Sequence, residues 1–233
     1  MLQPNRKKMI ISADDFGVSK SANKNILELA RRGKLDRVSV MASQDYLGGE
    51  DVSELKKTGV KLDIHLELPR AKGKKHKLKD GVARRGLIFL LHYILGRNGK
   101  KNMKQAWAYQ IERFRDIFGR YPDGINSHEY IHFFPPYFKT ALELARDNKI
   151  NFIRFGKEGP LRKKSNVSRV LGRLHRVNNK RFVCSGLQSS DCFVSLDWIR
   201  DRKKFLDNLP EGKTELICHP ERGEEFDIIN KWE

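Results

Sequence analysis

The sequence has few of the features that mark secreted, disulfide-linked or membrane-spanning proteins. Its three cysteines, Cys184, Cys192 and Cys218, include no C-x-x-C pair, so neither a disulfide framework nor a cysteine zinc knuckle is indicated. No signal-peptide pattern precedes the first apolar run, and the longest apolar stretch, residues 87–95, falls far short of the roughly 20 residues that cross a bilayer. We expect a cytoplasmic protein, with peripheral attachment to the inner face of the membrane left open.

Linkers rich in proline, glycine or serine are also missing, as are a G-x-G-x-x-G motif and a Walker loop. These absences favour one domain over residues 1–233 and argue against a nucleotide cradle. Positive charge is in excess, with 47 Lys and Arg against 29 Asp and Glu. We therefore expect an anionic partner, such as a phosphate-linked sugar or an acidic membrane surface. Specific nucleic-acid binding is not expected, because no recognised module accompanies the charge.

Short runs rich in Val, Ile and Phe alternate with longer amphipathic segments, which is typical of parallel strands joined by helices. The pattern predicts strands at residues 8–13, 37–42, 60–66, 124–128, 151–155, 181–185 and 214–219. It predicts helices at about residues 20–32, 52–57, 80–95, 103–118, 136–148, 167–177 and 196–209. The predicted fold is α/β, a single irregular (β/α) barrel of about seven parallel strands with its active site at their carboxyl ends.

Polar side chains stand where these strands end. They are Asp14 and Asp15, Ser43 and Gln44, His65, His128, Arg154, Ser185 and His219. In a parallel barrel such residues converge on one face. Adjacent carboxylates repel unless a cation or a shared proton relieves them, which favours a divalent metal, although one Asp could instead cap the following helix. An oxygen and two imidazole nitrogens would make three ligands with room for a water.

The histidines leave alternatives open. His65 alone could be a buried, hydrogen-bonded core residue. Either His128 or His132 could reach the metal while the other contacts substrate, and we favour His128 because it lies nearer the strand end. His219 could donate a proton to the departing amine, stabilise an oxyanion, or simply hold Asp14 by a hydrogen bond. We interpret His76, His92 and His175 as surface or packing residues.

Four motifs in order resemble the YdjC-like carbohydrate deacetylases, a group that includes chitooligosaccharide deacetylase and the hopanoid-biosynthesis-associated deacetylase-like proteins. They are the run Ile-Ser-Ala-Asp-Asp-Phe-Gly at residues 11–17, Ile-His-Leu at 64–66, Ser127 to His132 with Pro135, and Cys-His-Pro at 218–220. The resemblance implies that Asp15, His65 and His128 hold a metal and that Asp14 is the catalytic base. It also implies pocket positions for Arg154, Glu158 and Asp191.

Two positions depart from the family pattern. Tyr130 stands where many relatives have a further histidine, and Asp63 stands where a glycine is usual, so both are expected to affect the shape of the sugar pocket. The predicted function is metal-dependent removal of the acetyl group from an N-acetylated oligosaccharide or lipid- or phosphate-linked glycan. The metal would be Mg²⁺ or Zn²⁺, since the mixed ligand set does not decide. A basic nucleic-acid- or membrane-binding barrel without catalysis is the alternative, and a homodimer is left open.

Two basic segments are expected on the face where the site opens. The first is an insertion at about residues 70–104, with eight Lys and Arg between residues 70 and 85, which could act as a lid. The second comprises residues 162–164 and 169–181. Charge runs are usually solvated surface, but their position predicts that both contact an anionic partner.

Overall fold

The computed structural model describes residues 8–68, 100–159 and 166–232. Its strands are β1 Met9–Phe16, β2 Arg37–Val40, β3 Lys61–Leu66, β4 Gly124–Ser127, β5 Phe152–Ile153, β6 Lys157–Glu158, β7 Cys192–Ser195 and β8 Thr214–Cys218. Its helices are α1 Lys20–Arg31, α2 Gly49–Lys57, α3 Lys100–Phe118, α4 Pro135–Asp147, α5 Asn166–Ser185, α6 Arg202–Asp207 and α7 Gly223–Asn230. Two 3-10 turns, His128–Phe133 and Leu196–Trp198, follow β4 and β7. None of the helices in these three ranges is long and apolar enough to cross a membrane.

The strands form one eight-stranded sheet in the order β5-β4-β3-β2-β1-β8-β7-β6, and every pairing is parallel. The two edge strands, β5 and β6, are separated in the chain only by residues 154–156. Such a short connection spans at most about 14 Å, so the sheet has to curl until its edges nearly meet. A bridge from Phe152 to Gln188, just before β7, links the two edges. The predicted irregular parallel barrel is confirmed, with eight strands rather than about seven.

One predicted strand is wrong. Residues 181–185 form the last turns of α5, which ends before Gly186 at a φ of 70°. The strand of this region lies later, at β7, and the predicted helix at 196–209 is reduced to a 3-10 turn and α6. Neither β6 nor α7 is predicted from the sequence. The predicted helix at 80–95, His76, His92, residues 162–164 and most of the insertion at 70–104 lie outside the described residues.

The sheet separates an apolar layer from a polar interior. Alternate residues such as Ile11, Ala13, Ile64 and Ile125 are buried in the hydrophobic core that the helices cover. The residues between them are buried too, but they are polar and bond to one another across the barrel. These interior residues are Asp14, Arg37, Ser39, Asp63, His65, Asn126, Arg154 and Glu215. The barrel is therefore lined by a connected polar network rather than by branched apolar side chains.

An ion pair fills the end of the barrel opposite the carboxyl ends of the strands. Arg37, the first residue of β2, donates from Nε to Asp63 Oδ2 at 2.7 Å and from Nη2 to Asp63 Oδ1. Its guanidinium lies over the Phe152 ring, 3.9 Å from the centroid. A Cβ at Gly124 would come within 2.6 Å of both members of the pair, so only glycine fits. The structure thus corrects the expectation for Asp63: it plugs the closed end and does not shape the sugar pocket.

Candidate metal centre and active site

A sharp turn at the end of β1 sends the two neighbouring carboxylates in different directions. Asp15 has a φ of 70° and Gly17 a φ of 100°, and the pairing of β1 with β2 shifts register between Ala13 and Phe16. A positive φ is uncommon for Asp and is a local strain that the surrounding structure has to maintain. At Gly17 a Cβ would lie 2.8 Å from Leu47 Cδ2, so this turn requires glycine.

Asn23 of α1 holds this turn in place. Its Oδ1 accepts a hydrogen bond from the Gly17 N–H at 2.7 Å, and its Nδ2 donates to the Tyr46 carbonyl at 2.7 Å and to Asp51 Oδ2 at 2.8 Å. The side chain is 1% exposed. One amide therefore ties the β1 turn to the β2–α2 loop and to the first turn of α2. It supplies the restraint that the strained geometry of Asp15 needs.

Asp15, His65 and His128 converge as predicted. Asp15 Oδ1 lies 3.3 Å from His65 Nε2 and 3.3 Å from His128 Nδ1. One donor atom from each of the three residues falls within 4.8 Å of the others, a spacing that a single metal ion can bridge. Within the described ranges this is the one such group of His, Cys, Asp and Glu. His132 does not belong to it.

A second layer of residues prepares His65 for this role. His65 Nδ1 lies 2.5 Å from Asn126 Oδ1, and Asn126 Nδ2 donates to Ser39 Oγ at 2.8 Å. Because the Asn126 oxygen is an acceptor, Nδ1 carries a proton, and Nε2 is the ring nitrogen that faces Asp15. Such partners of metal-binding histidines fix both the tautomer and the ring orientation. His65 is thus buried and hydrogen-bonded, and it still offers a ligand nitrogen.

The ionisation of Asp15 and its two histidine neighbours favours a bound cation. Burial acts to raise the pKa of Asp15, but hydrogen bonds and charge from His128 and His65 outweigh it and hold that pKa well below its ordinary value. Burial likewise acts to lower the pKa of His128, and the Asp15 carboxylate reverses this and raises it. An ionised carboxylate between two imidazoles is an arrangement that a divalent ion would satisfy in place of protons.

Asp14 faces the barrel interior and is held by Arg154. Arg154 donates from Nη1 to Asp14 Oδ2 at 2.7 Å and from Nη2 to Oδ1 at 2.9 Å, and its Nε donates to Glu215 at 2.8 Å. Burial would raise the pKa of Asp14, but the charge and hydrogen bonds of Arg154, with charge from His65 and His219, keep it well below its ordinary value. Asp14 is therefore ionised at neutral pH and fixed beside the metal ligands.

His219 follows β8 and is supported from α7. Its backbone N–H donates to Glu225 Oε2 at 2.7 Å, and its Nδ1 lies 3.5 Å from the same oxygen. Arg222 Nη1 donates to Glu225 Oε1 at 2.7 Å and lies 3.3 Å from Asp197 Oδ2. Burial lowers the pKa of His219, but Glu225, Asp14 and Asp15 together raise it. The raised pKa widens the pH range in which His219 carries a proton, and both Asp14 oxygens accept hydrogen bonds from Arg154.

Of the four residues predicted to contact substrate, Arg154 and His132 are fully buried. Arg154 is 0% exposed, and its donors are committed to Asp14 and Glu215. His132 is also 0% exposed: its Nδ1 lies 2.6 Å from Ser127 Oγ and its Nε2 lies 2.8 Å from the Arg154 carbonyl. Burial lowers the pKa of His132 to about 3, so its ring is neutral. Both residues are therefore held inside the protein, where Arg154 orients Asp14 and His132 bonds to the Arg154 carbonyl just after β5.

Neither Glu158 nor Asp191 belongs to the group formed by Asp15, His65 and His128. The Glu158 carboxylate lies against α5, where a Cβ at Gly172 would be 3.9 Å from it. Asp191 precedes β7, at the amino end of the strand, and its Oδ2 accepts a hydrogen bond from the Lys213 N–H at 2.7 Å. That contact places Asp191 at the end of the barrel opposite the site. His175 stacks on Phe155 at 4.6 Å, as expected of a packing residue.

The structure adds residues that the sequence does not single out. Beyond Asn126, Glu67 follows β3 and its carboxylate accepts hydrogen bonds from Ser43 and from Gln44 Nε2, the latter at 2.8 Å. Tyr130, which the sequence does single out, packs in an aromatic cluster: its ring centroid lies 5.6 Å from that of Phe193 and 5.8 Å from that of Trp198. Period-two alternation along β3 and β4 is the signal that could have found Glu67 and Asn126, because each stands two residues from a histidine of the candidate metal site.

Comparisons with known proteins agree with this arrangement. Residues 8–230 match the family described as YdjC-like protein. The chain is 26% identical over 218 residues to the chitooligosaccharide deacetylase of Escherichia fergusonii, covering 91% of this chain and 81% of that protein. It is 26% identical over 215 residues to the chitooligosaccharide deacetylase of Citrobacter koseri, with coverage of 91% and 81%.

One solved structure is similar in fold. It is a protein of Enterococcus faecalis to which cellobiose-phosphate cleavage is attributed. It aligns with a TM-score of 0.61 at 18% identity, covering 91% of this chain and 80% of that chain. At this level of identity the likeness supports the parallel α/β barrel and nothing finer.

Proposed function

The chain belongs to the YdjC-like protein family, and we propose that it is a metal-dependent hydrolase that removes the acetyl group from an N-acetylated sugar. One observation carries the proposal: the Asp15, His65 and His128 donor atoms converge within 4.8 Å, next to an Asp14 carboxylate that Arg154 keeps ionised. The relatives named above are chitooligosaccharide deacetylases, which supplies the substrate class.

The donor set fits a divalent ion. Asp15 contributes an anionic oxygen, while His65 and His128 contribute neutral nitrogens whose orientation is set by hydrogen bonds, and three protein ligands leave room for water and substrate. When bound, a divalent ion supplies an electrophile for the amide carbonyl and makes a water easier to deprotonate. Zinc would favour the nitrogens and magnesium the oxygen, so both remain candidates.

The proton transfers fall to Asp14 and His219. Asp14 accepts a proton from the attacking water as the water oxygen bonds to the amide carbon. His219, as an imidazolium, donates a proton to the nitrogen as the carbon–nitrogen bond breaks, so that acetate and a free amino sugar leave. Each such transfer is typically worth about two to four powers of ten in rate. Arg154 contributes indirectly, because it holds Asp14 ionised and in one orientation.

We propose that the substrate is an N-acetylated oligosaccharide or a lipid- or phosphate-linked glycan. Tyr130 and Trp198, which follow the carboxyl ends of β4 and β7, would face the sugar, since aromatic rings present a flat apolar surface to a ligand. A screen of N-acetylated mono-, oligo- and nucleotide-linked sugars for released acetate would identify the substrate. We further propose that the whole chain forms one domain. The oligomeric state of the same purified protein would show whether it forms a homodimer.

The test compares three Asp→Asn variants that are chemically matched. D15N should lose bound metal and, with it, activity, because an amide oxygen binds a divalent cation more weakly than a carboxylate. D14N should keep its metal and lower kcat by roughly two to four powers of ten, because only the proton acceptor is gone. D191N, altered at the far end of the barrel, should retain both metal and activity.

Metal content, melting temperature and acetate release are measured on all three variants and on the chelated parent. Full activity of the parent after verified metal removal would end the metal-hydrolase proposal. A D14N protein that is fully active with its metal bound would refute the role of Asp14 alone. If His128→Ala keeps its metal while His132→Ala loses it, the two histidines are assigned backwards.

A further inference from the structure

Helix α5 carries a concentrated and unbalanced charge. Among its twenty residues, Asn166–Ser185, there is no Asp or Glu, and there are five cations, Arg169, Arg173, Arg176, Lys180 and Arg181. All five are exposed. The first four follow one another at intervals of four, three and four residues, so they form a single stripe along the helix.

These cations have no anionic partner among the residues that the structure describes. Within the described ranges, none of the five takes part in an ion pair. Arg176 and Arg181 each donate a hydrogen bond within α5, to the Gly172 carbonyl at 3.4 Å and to Asn178 Oδ1 at 3.2 Å. Like charges one turn apart repel. Their clustering is therefore a surface suited to an anionic partner.

An apolar row runs beside the basic stripe. Val170 and Val177 are 50% and 58% exposed and stand seven residues apart, so they share one flank of α5, and Val183 is 68% exposed. Only two other large apolar residues of the described chain are exposed, Tyr46 and Tyr109. Most of the exposed apolar side chains are thus on the helix that also carries the charge.

The opposite face of α5 is firmly anchored. Leu171 is buried, Asn178 Nδ2 donates to the Phe133 carbonyl at 2.7 Å, and His175 stacks on Phe155. The helix joins the parallel neighbours β6 and β7, so it runs antiparallel to them. Its first turn, next to Arg169, is therefore at the end of the barrel where the metal ligands lie.

We propose that the outer face of α5 docks the protein on an anionic lipid bilayer. The headgroups of such a bilayer would pair with the arginines while Val170 and Val177 enter the interface below them. A nucleic acid would satisfy the cations but would gain little from valines, and α5 exposes no aromatic ring for a base to stack on. Docking on α5 would bring a membrane-linked glycan to the side of the active-site face. This inference does not depend on the proposed catalysis.

The experiment is vesicle co-sedimentation of the full chain at physiological salt. Vesicles of phosphatidylcholine alone are compared with vesicles of phosphatidylcholine and phosphatidylglycerol in equal parts. The parent should bind only the mixed vesicles. R173Q/R176Q should lower the partition coefficient by roughly 30-fold, since each cation near an anionic bilayer is worth about a factor of five. V170S/V177S should lower it several-fold, because less apolar surface enters the interface.

The matched control is K56Q/K57Q, which removes the same charge from exposed positions on α2. It should change binding by less than about twofold. An equal loss in this control would overturn the proposal, because net charge rather than α5 would then govern binding. Unchanged binding of V170S/V177S, together with tight α5-dependent binding to duplex DNA, would also overturn it in favour of a polyanion surface.

A second measurement leaves the arginines and valines of α5 unchanged, so it does not depend on whether the variants above fold as the parent does. The exposed Cys184 lies near the end of α5, and with Cys192 replaced by serine and Cys218 buried it is the thiol that a fluorophore should label. An environment-sensitive label there should shift to the blue on mixed vesicles and stay unchanged on phosphatidylcholine alone. No shift under conditions where the protein sediments with the vesicles would place the contact elsewhere and overturn the proposal.

Discussion

Asn23 allows the geometry of the metal centre to be tested without touching a ligand. N23D keeps the acceptor for the Gly17 N–H but removes the donors to the Tyr46 carbonyl and to Asp51, and it sets two carboxylates face to face. Two lost hydrogen bonds are worth about 1 kcal/mol each. The repulsion between the two carboxylates is limited, because one of them can take up a proton. A rise of one unit in the pKa of that carboxyl costs about 1.4 kcal/mol. We expect a loss of about 3–4 kcal/mol in the free energy of unfolding.

The double variant N23D/D51N should recover about 2 kcal/mol of this, because an amide again faces a carboxylate and only the Tyr46 carbonyl stays unpaired. Metal affinity should follow the same order: about 10- to 100-fold weaker in N23D and largely restored in the double variant, since outer residues orient ligands. Urea denaturation and calorimetric metal titration measure the two effects. N25D is the control on α1, because Asn25 only bonds the Pro220 carbonyl.

Two results would refute this reasoning. If N23D binds metal as the parent does, the Asp15 turn does not depend on Asn23. If the double variant is no better than N23D in either measurement, the pairing with Asp51 is not what stabilises the turn.

E225Q should lower the pKa of His219. The alkaline limb of the pH–activity profile should then move to lower pH, because His219 loses its proton at lower pH. An NMR titration of His219 that matches the parent would contradict this. R154M should lower the free energy of unfolding by about 3–5 kcal/mol in urea, because Asp14 loses its buried partner, and a loss under about 1 kcal/mol would contradict the structure. H132N should flatten the loss of thermal stability between pH 6.5 and about 3, since His132 is neutral when folded and takes up a proton once unfolded.

The convergence of Asp15, His65 and His128 could be predicted from the sequence because it follows a local rule. Asp15, His65 and His128 each stand at the end of an apolar run, and parallel strands bring such ends together. The role of Arg154 is not readable in the same way. Its partner Asp14 is 140 residues away, and both charges are buried. Long-range pairing of this kind depends on the register of a barrel that the sequence specifies only as a whole.

Two other differences have local causes. The runs at 181–185 and 192–195 are both short and partly apolar, and only burial separates them, since Val183 is exposed whereas Phe193 and Val194 are enclosed. His132 is drawn inward because Glu129 and Tyr130 both take a left-handed backbone, with φ of 55° and 57°. The turn that follows brings His132 back to the Ser127 hydroxyl. Sequence spacing alone suggests a second ligand at that position.

The ion pair at the closed end of the barrel makes the residues at positions 37, 63 and 124 depend on one another. Arg37 without Asp63 would be a buried, unpaired charge, and a side chain at 124 would collide with both. None of the three can change singly without a penalty. Among related chains, a small residue at position 63 should therefore accompany the loss of arginine at 37, and only then should position 124 be released from glycine. On this expectation, the departure at Asp63 is one part of a coordinated exchange at the end of the barrel opposite Asp15, His65 and His128.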